Sequence, residues 1–145
     1  MCFHRKEYKY LKDGRLEDVL ALIQVLALDK DSHRSEEGVK SELPALPNSA
    51  DSWLQLAKEH QEFFRVVEGR KYPISLVTRH VSNESGEKRP PLSPEHTQAL
   101  LNSAIELHDR QIRRSQRWTV LIPIWVAVIG GAIAIIKVLA ESGSA

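Results

Sequence analysis

One stretch of the sequence constrains the fold more than any other: residues 118–136 are 19 in a row without formal charge, between Arg117 and Lys137. At about 1.5 Å of rise per helical residue they span about 29 Å, which matches the hydrocarbon core of a bilayer. Trp118 occupies the position of an interfacial aromatic anchor. The other apolar residues of this 145-residue chain are too few to surround such a rod as the core of a folded domain. The sequence therefore predicts a transmembrane helix over 118–139.

The charges that flank this predicted span are unequal. Four arginines and one aspartate precede it, for a net charge of +3, whereas Lys137 and Glu141 after it sum to zero. The positive-inside rule then places the N-terminal part in the cytoplasm, at the inner membrane in a prokaryote, and a short tail of 140–145 on the far side. No signal peptide contradicts this orientation. The expected protein is single-pass and tail-anchored, with its topology determined by Arg110, Arg113, Arg114 and Arg117.

Residues 13–81 carry the pattern of a small folded domain. Apolar residues recur at helical spacing from Arg15 to Leu28 and predict its central helix. Ser35, followed by two acidic residues, predicts the start of a second helix. Ser49 is expected to cap a third helix, which places Trp53 in the core and His60 in a buried or capping position.

Two segments after the third helix, 62–67 and 74–81, are rich in aromatic and β-branched residues. A loop over 68–73 that contains Gly69 joins them, so they predict a β-hairpin. Three helices followed by a hairpin is the element order of a winged helix-turn-helix, and residues 13–81 resemble that fold. The expected class is mainly α with a small β-hairpin, a winged-helix-like domain, plus one C-terminal transmembrane helix.

The segments on either side of this domain have their own character. Residues 1–12 form a basic N-terminal arm, and 82–93 form a linker rich in proline, serine and charge. Ser93 and Pro94 are typical of a helix start. They predict a juxtamembrane helix over 94–117 that continues into the span.

The sequence shows no pattern for catalysis, for a cofactor or for a metal. The single cysteine, Cys2, excludes a disulfide framework, and Cys2 with His4 gives only two of the four ligands of structural zinc. No two histidines lie three or four residues apart on a predicted helix, and no nucleotide-binding, nucleophile-elbow or zinc-protease motif occurs. We therefore expect no catalytic, cofactor-binding or metal-binding residues.

The winged-helix resemblance implies a third helix in the DNA major groove and a hairpin on the backbone. Eight acidic and four basic residues occur from Asp29 to Glu62, and this net negative charge disfavours binding to phosphates. A basic contact surface for a partner or an anionic leaflet is expected instead. Its residues are Arg65, Arg70, Lys71 and Arg79.

Small residues four apart in the predicted span indicate a face for helix association. They are Ala127, Gly130, Gly131 and Ala134. The function expected from these features is that of a tail-anchored, non-enzymatic protein-interaction or regulatory module. Its partners would be the lipid bilayer and either another protein or a second copy. The alternatives are a membrane-tethered winged-helix DNA-binding regulator and a small accessory subunit of a membrane complex.

Overall fold

The computed structural model describes residues 9–81 and 90–142, with side chains over 9–80, 90–116, 122–137 and at 139. The chain divides into two compact units, and the boundary falls after Asp109. The described elements, in chain order, are a 3₁₀ turn (Lys9–Leu11), α1 (Arg15–Leu28), α2 (Glu36–Glu42), α3 (Trp53–Glu59), β1 (Phe64–Val66), β2 (Ile74–Leu76), α4 (Thr78–Val81) and α5 (Pro94–Ser142).

The first unit has the predicted order of three helices and a hairpin, and α1 has the predicted bounds. The Ser35 hydroxyl accepts a hydrogen bond from the Gly38 amide at 3.1 Å, so the predicted cap of α2 is confirmed. The cap predicted for α3 is wrong by three residues. Ser52, not Ser49, accepts from the Gln55 amide at 3.0 Å, because Asp18 holds Ser49 elsewhere.

The core of the first unit lies between α1 and the elements that follow it. Trp53 is only 3% exposed, which confirms its predicted core position. Ala104, in the third turn of α5, is fully buried in the same cluster. The buried apolar residues are Tyr10, Val19, Leu22, Ile23, Leu26, Ala27, Val39, Trp53, Leu56, Ala57, Phe63, Phe64, Ile74, Leu76 and Ala104.

The hairpin is shorter than predicted. β1 and β2 pair antiparallel in the register Phe64↔Leu76, Arg65↔Ser75 and Val66↔Ile74. The predicted strand over 74–81 is wrong beyond Leu76, where the chain turns into α4. This turn carries the side chain of Arg79 under the end of α1.

The predicted basic arm and linker both contribute residues to the folded unit. Within the arm, Tyr10 is 1% exposed and packs in the core, while residues 1–8 lie outside the described part of the chain. Within the linker, the Leu92 amide donates to the Ala27 carbonyl at 2.9 Å, and the Leu92 side chain packs against the core. Positions 82–89 lie outside the described residues as well.

α5 begins at Pro94, as the sequence predicts, and its backbone is helical through Ser142. In the described part of the chain, however, no helix has a stretch both long and apolar enough to cross a membrane.

This finding overturns several connected predictions. The transmembrane helix over 118–139 is wrong, and so are the tail-anchored topology and the single-pass membrane localisation with a cytoplasmic domain. Four further predictions were inferred from this span, and no other observation tests them. They are the juxtamembrane assignment of 94–117, the far-side tail of 140–145, the bilayer as a partner, and the topological role of the four arginines over 110–117.

Candidate functional site

Three of the four residues predicted for the basic contact surface are exposed. Arg65 lies on β1, and Arg70 and Lys71 lie in the hairpin turn, all exposed. The Lys71 ammonium sits 5.4 Å from the ring centroid of Tyr72, a cation–π contact that orients it. The fourth position, Arg79, is not on this surface, because its side chain is only 1% exposed.

Arg79 caps the C-terminal end of α1. Its Nη1 donates to the carbonyl oxygens of Leu26 at 2.9 Å and of Asp29 and Asp31 at 3.0 Å. The last carbonyls of a helix have no partner within the helix and carry its negative dipole end, so a buried guanidinium stabilises them. Arg79 therefore acts in the structure of the domain rather than in contact with a partner.

A buried polar network joins the 3₁₀ turn, α1 and the end of α3. The Tyr10 hydroxyl donates to Glu62 Oε1, and His60 Nδ1 lies 3.1 Å from the same oxygen. Arg15 Nη1 lies 3.4 Å from His60 Nε2 and donates to Glu59 Oε2 at 2.5 Å. A neutral imidazole with its proton on Nδ1 satisfies both of its contacts.

The network shifts the ionisation of its members. Burial lowers the pKa of His60 below its usual value, despite the opposing effect of Glu62. Burial alone would raise the pKa of Glu62, but hydrogen bonds with His60, Lys9 and Tyr10 outweigh it and hold that pKa well below its usual range. Burial, reinforced by Glu62, raises the pKa of Tyr10 far above its usual range. The stable state is therefore a neutral tyrosine and histidine around one carboxylate.

Tyrosine, histidine and a carboxylate are residue types found in acid–base catalytic sites, but here the histidine is not accessible to a substrate. A general base must reach a substrate proton directly or through one water. The His60 imidazole is fully buried, and the ring of Tyr10 packs edge-on against it at 4.7 Å between centroids. The contacts of this network hold the 3₁₀ turn against the end of α3.

Sequence reasoning missed this network, apart from His60, which it placed in a buried or capping position. His60 is indeed the C-terminal cap residue of α3. Tyr10 pairs with Glu62 and Arg15 pairs with Glu59, and the two partners in each pair lie more than 40 positions apart in the sequence. A tyrosine in the otherwise basic segment 1–12 was the available signal.

An open cleft of about 500 Å³ runs beside β1. Lys58 and Gln61, at the end of α3, form one side of it, and the strand residues Phe64, Arg65 and Val66 form the other. The Lys58 ammonium pairs with Glu68 at 2.6 Å, at an edge where the Glu68 side chain is 76% exposed. The cleft joins apolar strand surface to basic side chains.

In the second unit, the residues predicted for helix association are all exposed. Ala127, Gly130, Gly131 and Ala134 lie on the surface of α5, and a Cβ atom added at either glycine would meet nothing within 4 Å among the described residues. Large apolar side chains are exposed around them, from Ile122 to Leu139. The described arginines of this segment, at 110, 113 and 114, are exposed too, while the side chain at 117 is not described.

No group of three or more histidine, cysteine, aspartate and glutamate side chains in the described ranges is placed to hold a metal ion. Cys2 and His4 lie outside those ranges. No protein-family model matches the chain, and no curated protein or solved structure matches it either. The resemblance to winged helices therefore stays a prediction from element order.

Proposed function

We propose that this chain is a non-enzymatic protein-interaction module that associates with a second copy of itself through residues 122–139 of α5. One observation carries the proposal. Ten large apolar side chains in this segment are between 54% and 66% exposed. Contiguous exposed apolar surface of this extent marks an interaction site in a folded protein.

The exposed area is sufficient for a stable interface. Half-exposed large apolar side chains offer on the order of 100 Å² each, so ten of them offer about 1,000 Å². A standard protein–protein interface covers about 800 Å² on each partner. The segment therefore carries enough apolar surface for specific association.

The distribution of side-chain sizes favours a second copy as the occupant. At 3.6 residues per turn, the ten large side chains cover an arc of about 200°, while Pro123, Ala127, Gly130 and Ala134 lie on the opposite side. Small residues let a neighbouring helix approach closely, and large ones fill the space beside it. A copy of the same segment supplies both surfaces.

Three observations argue against DNA binding. Arg79 is removed from the basic surface by its burial under α1. Lys58, the cation of α3, is already paired with Glu68, and acidic residues outnumber basic ones from Asp29 to Glu62. A phosphate-binding surface needs free cations in excess.

Sedimentation equilibrium of the full-length chain tests the proposal. The double variant Ile129→Glu/Ile136→Glu places charges in the large apolar arc and should convert a dimer into a monomer. Gln116→Glu adds a negative charge at an exposed position outside the apolar segment, and it should leave the dimer intact. A dimer with a Kd of about 1 μM would be largely formed at a protein concentration of about 100 μM. A wild type that is still monomeric at that concentration would refute self-association.

An electrophoretic shift assay on the same preparations tests the DNA alternative. The full chain with duplex DNA, across a salt series, should show no complex at physiological salt. A complex whose affinity falls steeply with salt would replace the proposal with a nucleic-acid function.

A further inference from the structure

β1 is the edge strand of the described sheet. The edge of β2 that faces away from β1 is closed by a bridge to Arg34. The Ile74 amide donates to the Arg34 carbonyl at 3.0 Å, and the Arg34 amide donates to the Ile74 carbonyl at 2.8 Å. At the opposite edge, β1 pairs only with β2 among the described strands. One edge of the hairpin is thus closed by its own chain, and the other is open.

The register shows which backbone groups point to the open side. The Val67 amide donates to the Pro73 carbonyl at 3.0 Å, and the Val77 amide donates to the Phe63 carbonyl at 2.9 Å. In an antiparallel pair, residues alternate between facing the partner strand and facing away. The N–H and C=O of Val66 therefore point away from β2, towards the side of the cleft.

The cations beside this edge are not neutralised by the fold. Arg65, Arg70 and Lys71 are exposed, and none of them forms an ion pair with an acid in the described part of the chain. Acids close to α3 are already engaged, Glu62 with Lys9 at 2.6 Å and Glu59 with Arg15 at 2.5 Å. The Phe64 amide on this edge donates to the His60 carbonyl at 3.0 Å. The edge is therefore positively charged and its backbone is open at Val66.

We propose that the open edge of β1 binds an extended acidic segment of a partner protein as a third strand. An unpaired strand edge is a template for strand addition, in which main-chain hydrogen bonds give affinity and alternate side chains give specificity. The Val66 N–H and C=O supply two of these bonds. Acidic residues at alternate positions of the segment lie on the face of Arg65, and apolar residues between them pack beside Val66.

This inference goes beyond the proposed self-association and stands on a different surface. The α5 variants that dissociate the dimer should bind the acidic segment with unchanged affinity. Loss of self-association would therefore not count against peptide binding at β1, and loss of peptide binding would not count against self-association through α5.

Fluorescence anisotropy with the full-length chain tests the proposal. The probe is a labelled peptide of alternating glutamate and valine, and the comparison peptides alternate lysine and valine or carry N-methyl groups on alternate amides. The first peptide should bind at least about tenfold more tightly than either comparison peptide, a difference of about 1.4 kcal/mol. Equal binding of the N-methylated peptide would exclude strand pairing and overturn the proposal.

Charge reversal identifies the surface. Arg65→Glu should weaken binding of the glutamate peptide about tenfold or more and improve binding of the lysine peptide. Arg113→Glu makes the same change at an exposed position in the second unit, and it should change neither affinity. An equal loss in both variants would mean nonspecific attraction and contradict the proposal.

Amide hydrogen exchange locates the added strand. Exchange of the Val66 amide should slow when the glutamate peptide is added, while the Val67 amide, already bonded to Pro73, should change little. Protection of both or of neither would place the peptide elsewhere and contradict the proposal. Tighter binding of duplex DNA than of the peptide at physiological salt would assign the same cations to nucleic acid and overturn the proposal.

Discussion

The hydroxyl of Tyr10 donates a hydrogen bond to the carboxylate of Glu62, across 52 positions of sequence. This bond ties the 3₁₀ turn at the start of the described chain to the segment between α3 and β1. Lys9 reinforces the tie, because its ammonium contacts both Glu62 Oε2 at 2.6 Å and the Glu59 carbonyl at 2.8 Å. The first residues of the domain are therefore held by polar contacts as well as by burial of the Tyr10 ring.

Tyr10→Phe should lower the free energy of unfolding by about 1–3 kcal/mol. The ring keeps its packing, but the partly exposed carboxylate of Glu62 loses a donor, and hydrogen bonds to charged groups contribute about this much. Urea unfolding followed by circular dichroism measures the change. Tyr72→Phe is the matched control at a half-exposed ring, and an equal loss in both variants would contradict the assignment.

Acidification should destabilise the domain in two steps. His60 has a lowered pKa in the folded state, so the unfolded chain takes up its proton first and stability falls as the pH drops below about 6.5. Glu62 also has a lowered pKa, and its contribution is present above about 4.3 and is lost as the pH falls further. Both effects have the same sign.

Urea unfolding of His60→Gln between about pH 7 and pH 5 isolates the first step. The variant should be less stable at pH 7 but should lose less stability on acidification than the wild type. His96→Gln, at an exposed position, should keep the wild-type slope. A wild-type slope in His60→Gln would show that other groups cause the acid sensitivity.

Arg79→Lys should cost about 1.5–3 kcal/mol of stability, although the charge is kept. A lysine ammonium lacks the planar fork that reaches several carbonyls, and hydrogen bonds to charged groups are worth this much. Chemical denaturation measures the loss, with Arg70→Lys in the exposed turn as the control. Equal stability of the two variants would mean that the contacts at the end of α1 contribute nothing.

Trp53→Ala should be among the most damaging single changes, with a loss of about 3–5 kcal/mol. The indole is buried, and its Nε1 donates to the Ala45 carbonyl at 3.2 Å. Trp53→Phe should recover most of this loss, because it keeps an aromatic ring and removes only the hydrogen bond. An unfolding midpoint that is unchanged in Trp53→Ala would place the residue outside the core.

Sequence patterns predicted the structure correctly where it depends on residues that are neighbours along the chain. The helical spacing of apolar residues predicted the bounds of α1, and the serine–acid pattern predicted the cap of α2. Ser49 and Ser52 are equally suitable caps by residue type, and only a distant contact decides between them. Asp18 accepts from the Ser49 amide at 2.8 Å and from its hydroxyl, which leaves Ser52 to cap α3.

The candidate site was less predictable than the fold. Three exposed cations of the hairpin were predicted, but Arg79 was placed with them because the second strand was expected to continue to residue 81, whereas β2 ends at Leu76. The burial of Arg79 depends on carbonyls about 50 positions earlier. That β1 rather than β2 carries the open edge was not predicted either, because the bridge between Arg34 and Ile74, which no local pattern indicates, closes the edge of β2.

The place of Ala104 in the core has a consequence for synthesis of the protein. The cluster that begins at Tyr10 is completed only when the third turn of α5 is available, together with Leu92 and Leu100. At about 5–20 residues per second, a ribosome needs roughly 5–20 s to make the intervening chain. During that interval the core cluster lacks the residues that α5 contributes. Exposed apolar surface makes a partly folded chain prone to aggregation, and a termination event before residue 104 would leave the core in that state.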